Sequence, residues 1–278
     1  MVDLAGHTKH NRLGVFASRA APHQVTWLGF PNTTGLESMD YRIVDYYTAP
    51  GNETLGGTET PLRLPNGFAC FRPSGDMPSV QSAPVEKNGF VTLGCLHKLE
   101  KLNTAVIASW AQILLGSPHT RLLLARDQLD EWQQQRLRSL FLQHGITPDR
   151  LEMRQLQNPE HEFFDQFADI DILLDTFPWS GHTLACCALW MGVPVVTLKG
   201  NSHAGRMVAG VLDLMGLEEL VAQDTQAYSG MVNQLCNDQQ RIVNYRRELR
   251  GRFEKSPLRD EAGFTRDLES EYLGLTRS

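Results

Sequence analysis

The stretch Ile172-Leu173-Leu174-Asp175-Thr176-Phe177-Pro178-Trp179-Ser180-Gly181-His182-Thr183 holds the densest chemistry in the chain. An apolar run ends, a loop follows, and Gly181-His182-Thr183 opens a helical pattern. The first N–H groups of a helix have no partner within it, and the helix dipole adds partial positive charge at that end. Such an end suits an anion, a diphosphate in particular. Gly181 permits close backbone approach, Thr183 offers a hydroxyl, and His182 can reach a phosphate or sugar oxygen. The same residues also read as an ordinary helix start, with Thr183 as the N-cap and His182 at the surface. Spacing alone leaves both readings open.

Such a site needs strands to aim it. From Gly89 onward, short apolar runs alternate with amphipathic helical stretches, the pattern of a parallel sheet with crossover helices. The expected strands are 90–93, 121–125, 151–154, 170–174 and 194–198, and ligands of such sheets sit beyond the C-terminal strand ends. Leu102, Val106, Ile107, Trp110, Ile113 and Leu114 recur at helical spacing, as do Met207, Val208, Val211, Leu212 and Met215. Earlier in the chain, 25–29 and 41–44 read as strands around the turn-forming Pro31-Asn32-Thr33-Thr34-Gly35. Two strands with little helix do not make a domain. The reading is therefore an α/β chain in which 1–46 is the C-terminal remnant of a first Rossmann-like domain, 47–87 an irregular connection rich in Gly, Pro, Thr and Asn, and 88–278 a complete second domain with C-terminal helices.

Composition narrows the partners. With 278 residues, 41% hydrophobic and 21% charged, the chain can bury a sizeable core. A net charge of -6 offers no footprint for nucleic acid. The longest apolar stretch is short and broken by Gly and Pro, so no membrane span is expected. Five cysteines, including the Cys186-Cys187 doublet, form no C-x-x-C pair, which argues against a disulfide framework and for a reducing, cytoplasmic location. Arg241, Arg246, Arg247, Arg250 and Arg252 are interleaved with Glu248 and Glu254 and read as a solvated helical face. No repeat of solenoid period is present.

Six blocks together resemble the catalytic region of the O-linked N-acetylglucosamine transferase family, including its SPINDLY-type branch. In chain order they are 24–35 (Gln24 to Gly35), 39–45 (Met39 to Asp45), 94–101 (Gly94 to Lys101), 174–183 (Leu174 to Thr183), 189–197 (Leu189 to Thr197) and His203-Ala204-Gly205-Arg206. They cover nearly the whole chain and keep the family's order.

The resemblance implies a GT-B fold, two Rossmann-like domains facing a cleft, with the second complete here and the first only partly present. It implies an inverting transfer of sugar from a nucleotide donor to Ser or Thr hydroxyls of proteins, with no cofactor and no metal. UDP-GlcNAc is the favoured donor, because Gly-His-Thr and the 27–35 loop resemble that branch; UDP-glucose and GDP-fucose are the alternatives among relatives. Lys101 aligns with the family's phosphate-binding lysine, and with His182 it is the expected catalytic electrostatic element. Lys98 stands where relatives carry an amide that contacts the nucleotide. His161 resembles a histidine near the nucleotide base, where Leu156 and Gln157 would present backbone groups. Leu28, Gly29 and Pro31 resemble the first-domain loop that closes over the donor sugar. The final helix, with Phe264, Leu268 and Leu275, is expected to pack on the other domain.

Two departures matter. Relatives place a second Thr after Gly-His-Thr and an acidic residue a few positions on that holds the ribose; here those places carry Leu184 and Cys187. A thiol accepts hydroxyl protons poorly, so weaker ribose binding is expected. The family's base and its helical repeats belong upstream of anything in this chain, so an N-terminal region or a partner chain with helical repeats is the expected complement. A non-catalytic nucleotide-sugar-binding or interaction module is the competing reading, and an unrelated GT-B enzyme such as a sugar-nucleotide epimerase a distant third.

Overall fold

The computed structural model describes residues 1–51, 56–75 and 77–277, so parts of the 47–87 connection lie outside the described residues. Two parallel sheets organise them. The first has the order β1-β2-β3-β4, built from Val2–Asp3, Val25–Thr26, Tyr41–Asp45 and Thr60–Leu64. The second contains β5 (Val91–Cys95), β6 (Thr120–Arg126), β7 (Leu151–Gln155), β8 (Ile172–Leu174), β9 (Val195–Leu198) and β10 (Val221–Ala222) in the order β10-β9-β8-β5-β6-β7. The order reverses beside β5 and β8, the point at which open parallel sheets form a crevice.

Ten helices connect and cover these strands among the described residues: α1 (Leu13–Ala17), α2 (Val85–Asn88), α3 (Thr104–Gly116), α4 (Glu131–Gln143), α5 (Pro159–Glu162), α6 (His182–Trp190), α7 (His203–Leu214), α8 (Thr225–Asn237), α9 (Gln239–Glu254) and α10 (Glu261–Arg277). The second sheet and its helices enclose the main core, with Trp110, Phe141, Phe167, Tyr228 and Phe253 fully buried. Strands buried on both faces need continuous apolar runs, which is why Leu122-Leu123-Leu124 and Ile172-Leu173-Leu174 were readable as strands.

The five expected strands of the second sheet, β5 to β9, fall where read, with ends displaced by up to two residues, and the short β10 adds a sixth. The 47–87 segment differs from expectation. It is not irregular throughout, because Thr60–Leu64 pairs with β3 from Tyr41↔Thr60 to Asp45↔Leu64. Pro61 and Arg63 disguised this strand; as the outer strand of its sheet it tolerates a proline. With β1, the first sheet has four strands rather than two.

The C-terminal helix returns to this first sheet. Phe264 of α10 packs with Val25, Ile43 and Leu64, and its ring stacks on Trp27 at 5.7 Å. Leu268 and Leu275 pack on the same cluster. The arginine-rich face is not wholly solvated. Arg246 is buried, and its guanidinium donates to the carbonyls of Phe167, Met191 and Ile170, tying α9 to loops of the second sheet. Burial lowers its pKa to about 10.

Candidate functional site

A cavity of about 1040 Å³ opens between the two sheets, at the C-terminal ends of β5, β6 and β8. Its second-sheet wall includes Lys98, Lys101, Arg126, Gly181, His182, Thr183 and Cys187. Leu28, Gly29, Phe30 and Pro31 from the first sheet close the opposite side. Most of the residues singled out by sequence thus meet in one place.

The end of α6 is the wall's most unusual feature. α3, α4, α7, α8 and α9 are each capped by their own N-cap side chain, Asn103, Asp130, Ser202, Asp224 and Asp238 respectively. α6 has Gly181 at its N-cap and no side-chain cap. Thr183 is therefore not the N-cap. Its first turn, His182 to Leu184, instead borders the cavity, presenting a helix terminus with partial positive charge to whatever enters.

Gly181 is required by packing. A Cβ there would lie 2.3 Å from His97 Cε1 and 2.8 Å from its Nδ1, distances no side chain tolerates without movement. Its N–H donates to the buried Asp175 Oδ1 at 2.9 Å, and Thr197 donates to the other carboxylate oxygen at 2.7 Å. The glycine serves approach to the protein interior, while the following turn serves the cavity.

Lys101 sits just after β5, half-buried, with Nζ donating to the Ser180 carbonyl at 2.9 Å and lying 5.8 Å from the Trp179 ring centre. Burial lowers its pKa and the nearby Asp175 opposes that shift. The lysine thus stands beside the loop that leads into α6. Asn103 reinforces the arrangement: its Oδ1 caps α3 and its Nδ2 donates to Phe177 O at 2.7 Å.

His182 is in edge contact with Phe68 at 5.2 Å, and burial pushes its pKa down to about 4. It is a neutral imidazole at neutral pH, able to donate or accept a hydrogen bond without adding charge. His203 meets the other side of Phe68 at 5.0 Å. Phe68 is held by its N–H to Asp45 and by the Trp27 indole N–H to its carbonyl, so the first sheet fixes the ring against α6 and α7.

On the facing loop, Leu28 is 46% exposed and has a φ of 75°. Leucine in the left-handed region costs about 1 kcal/mol or more, strain the loop sustains while presenting Leu28 to the cavity. Gly29 packs directly on Leu4, where a Cβ would fall 2.2 Å from the carbonyl oxygen. Phe30 reaches across to Trp179 with ring centres 5.4 Å apart.

Three expected residues are not on this wall. Leu156, Gln157 and His161 lie beyond β7, the outer strand, where His161 is exposed on the short α5. The Leu156 N–H donates to Arg126 O and the Gln157 N–H to Glu162, so both are already engaged. Lys98 is exposed at the cavity mouth, and Cys187 is buried behind α6's first turn. Burial pushes the Cys187 thiol up to about 12, so it is not a thiolate at neutral pH.

The cavity also holds residues that sequence reading missed. Arg126, at the end of β6, lies 5.8 Å from the Phe163 ring centre and donates to Leu96 O. A cation at the C-terminal end of a parallel strand was the available signal. His97, Phe68 and Trp179 gave none, because only tertiary packing brings them to the site.

The sequence profile of glycosyl transferase family 41 matches residues 1–68 and 87–268. The chain belongs to glycosyl transferase family 41. It is 42% identical over its full length to a tomato (Solanum lycopersicum) protein named probable UDP-N-acetylglucosamine–peptide N-acetylglucosaminyltransferase SPINDLY, of which it covers 30%. It is 26% identical to an Arabidopsis thaliana protein named probable UDP-N-acetylglucosamine–peptide N-acetylglucosaminyltransferase SEC, covering 29% of it. Among solved structures it is similar to a mutant O-GlcNAc transferase from Thermobaculum terrenum, with TM-score 0.90, 36% identity, and coverage of 98% of this chain and 51% of that one. This family 41 chain thus spans about a third of the curated relatives' length. Its parallel sheets, crossover helices and intervening cleft are those of a GT-B glycosyltransferase.

Proposed function

We propose that this chain forms the donor-binding part of a protein O-glycosyltransferase that moves GlcNAc from UDP-GlcNAc to Ser or Thr hydroxyls. The observation that carries the reading is the uncapped α6 terminus with Lys101 beside it, on the wall of a cavity closed by the Leu28–Pro31 loop. Both groups suit the diphosphate. The N–H groups at His182 and Thr183 and the Lys101 ammonium would take up charge as it grows on the leaving phosphate oxygen, a fixed arrangement that needs no reorganisation during reaction.

In the inverting step the acceptor hydroxyl oxygen bonds to the anomeric carbon as the bond from that carbon to the phosphate oxygen breaks. UDP leaves with the electron pair, and the hydroxyl proton passes to a base supplied outside this chain. Lys101 and the helix end supply the charge balance, so the reading needs no metal. Among the described residues no three His, Cys, Asp or Glu side chains cluster as metal ligands. His182 would hold a phosphate or sugar oxygen as a neutral partner, and Leu28, Gly29 and Pro31 would cover the sugar. Lys98 and Arg126, on the same cavity wall, would contact the nucleotide. Leu156, Gln157 and His161, in the segment that adjoins the cavity-lining Arg126 and Phe163, would serve the base.

The same reading makes residues 1–46 the tail of the first domain and 88–278 the donor-binding domain, with the acceptor-gripping repeats upstream or on a partner chain. Among the described residues no helix is long and apolar enough to cross a membrane. We place the protein in the cytoplasm because its five cysteines are all free. Calorimetric titration with UDP-GlcNAc, UDP-glucose and GDP-fucose tests the donor. UDP-GlcNAc binding tightest is the expected order; tighter GDP-fucose binding would reassign the donor.

The Cys187 thiol favours a second reading, a nucleotide-sugar-binding module without turnover. If Cys187 stands at the ribose position, Cys187→Asp tightens UDP-GlcNAc binding about tenfold, the worth of a charge-assisted hydrogen bond, while costing about 3 kcal/mol of stability for the buried carboxylate. Unchanged or weaker binding would remove this residue from the ribose site.

A further inference from the structure

We propose that Asp175, which does not line the cavity, is the positioning residue of the donor-binding helix end, acting through the Gly181 N–H. The inference rests on the donor-site reading above. α6 lacks the side-chain cap that α3, α4, α7, α8 and α9 possess, and the carboxylate of Asp175, at β8's end, instead holds the N–H of Gly181, the residue that leads into its first turn. It does so from a rigid setting. Thr197 on β9 donates to Oδ2 at 2.7 Å, the Asp175 N–H donates to Val196 O at 3.1 Å, and Tyr228 on α8 donates to the Asp175 carbonyl at 3.0 Å. Trp110 on α3 in turn donates to the Tyr228 hydroxyl. β9 and α8 thus converge on one buried residue, with α3 behind α8, and its bond to the Gly181 N–H fixes where α6 begins.

The second observation is His97. It is 4% exposed, its Nε2 lies 3.4 Å from Asp175 Oδ1 without a hydrogen-bond partner, and its ring presses against Gly181. An imidazole and a carboxylate therefore stand side by side behind the helix end. The charged and titratable groups that face Asp175 are His97 and Lys101 from the segment after β5, Cys95 of β5 and Tyr228 of α8. Burial outweighs the Thr197 and Gly181 bonds and raises the Asp175 pKa to about 6. His97 stays neutral, its pKa pushed down to about 3 by burial and then by Lys101.

A sign follows for donor binding. Above about pH 6 the free carboxylate is ionised, and a diphosphate placed at the adjoining helix end raises its pKa further by like-charge repulsion. Binding near pH 6.5 therefore takes up protons, and affinity strengthens as pH falls from 7.5 towards 6. A purely structural carboxylate remote from the ligand would show neither effect.

The test is calorimetry with UDP-GlcNAc, whose diphosphate diester does not titrate near pH 6, in two buffers of different ionisation enthalpy. Asp175→Asn keeps an oxygen for the Gly181 N–H, and its amide can donate to a turned Thr197 hydroxyl. It is expected to bind within about threefold of the native chain but without proton uptake. Asp175→Ala leaves the Gly181 N–H unpaired and is expected to bind about tenfold more weakly. Undiminished binding by Asp175→Ala, or proton uptake retained by Asp175→Asn, overturns the proposal; should Asp175→Ala fail to fold, the Asn variant decides alone. Native binding of UDP-GlcNAc without proton uptake defeats this inference only, whereas absence of binding by the native chain defeats the donor-site reading as well.

Discussion

Lys101→Ala is expected to weaken UDP-GlcNAc binding by about 30- to 100-fold while leaving the chain folded. A hydrogen bond to a charged group contributes about 1.5–3 kcal/mol, and each 1.4 kcal/mol is tenfold in affinity. The upper part of that range applies because Lys101 is half-buried beside an α6 end that carries no cap of its own. The ammonium also donates to Ser180 O, so its removal frees the loop leading into α6. The fold should tolerate the loss, since the core of the second sheet lies elsewhere. Calorimetry with a thermal melt checks both halves. Lys101→Gln, which retains a donor but no charge, should recover little. An affinity within twofold of the native chain for either variant would take Lys101 out of the site.

Gly181→Ala should produce the other large effect, and for a different reason. The added methyl would lie 2.3 Å from His97 Cε1 in a wall that has no slack, because His97 and Asp175 are both buried beneath it. Overpacking of this kind costs about 1–3 kcal/mol. The cheapest relief is displacement of Gly181 away from His97, which lengthens its bond to Asp175 and turns the first turn of α6. A fall in stability of ~2 kcal/mol with loss of donor binding of about 100-fold is expected. Gly14→Ala is the control, since a Cβ at Gly14 meets nothing within 4 Å. A Gly181→Ala chain with native melting temperature and native affinity would show that the close approach to His97 is not needed.

These two residues show how differently a site can announce itself. Lys101 is visible in sequence only through its likeness to a family, because a lysine after a strand is chemically commonplace. Gly181-His182-Thr183 is visible in part on its own, since an apolar strand that ends in a loop and reopens as a helix is how a parallel sheet makes an anion site, but the same spacing also reads as an ordinary helix start until the family likeness is added. The strands 122–124 and 172–174 were legible because burial on both faces demands unbroken apolar residues. Thr60–Leu64 was not, because an outer strand with Pro61 and Arg63 lacks both alternation and an apolar run.

The features that sequence concealed are those made by long-range contact. Asp175 reads as the polar end of a strand, yet it holds the N–H of Gly181, six residues later, where the chain enters α6. Arg246 sits among charged neighbours on a helical pattern and nonetheless turns inward to three carbonyls. Phe68 lies in the glycine- and proline-rich connection and becomes the ring between His182 and His203. His161, which resembles a family ligand, stands exposed on the short α5, two residues before the cavity-lining Phe163.

The central claim, that the α6 end and Lys101 bind a nucleotide diphosphate, is tested most directly by calorimetric titration of this chain with UDP, with Lys101→Ala and Thr183→Ala measured alongside. Saturable one-to-one binding by the native chain, weakened strongly by Lys101→Ala and measurably by Thr183→Ala, is the predicted result. Absence of UDP binding by the natively folded chain, or binding that both variants leave intact, would contradict it.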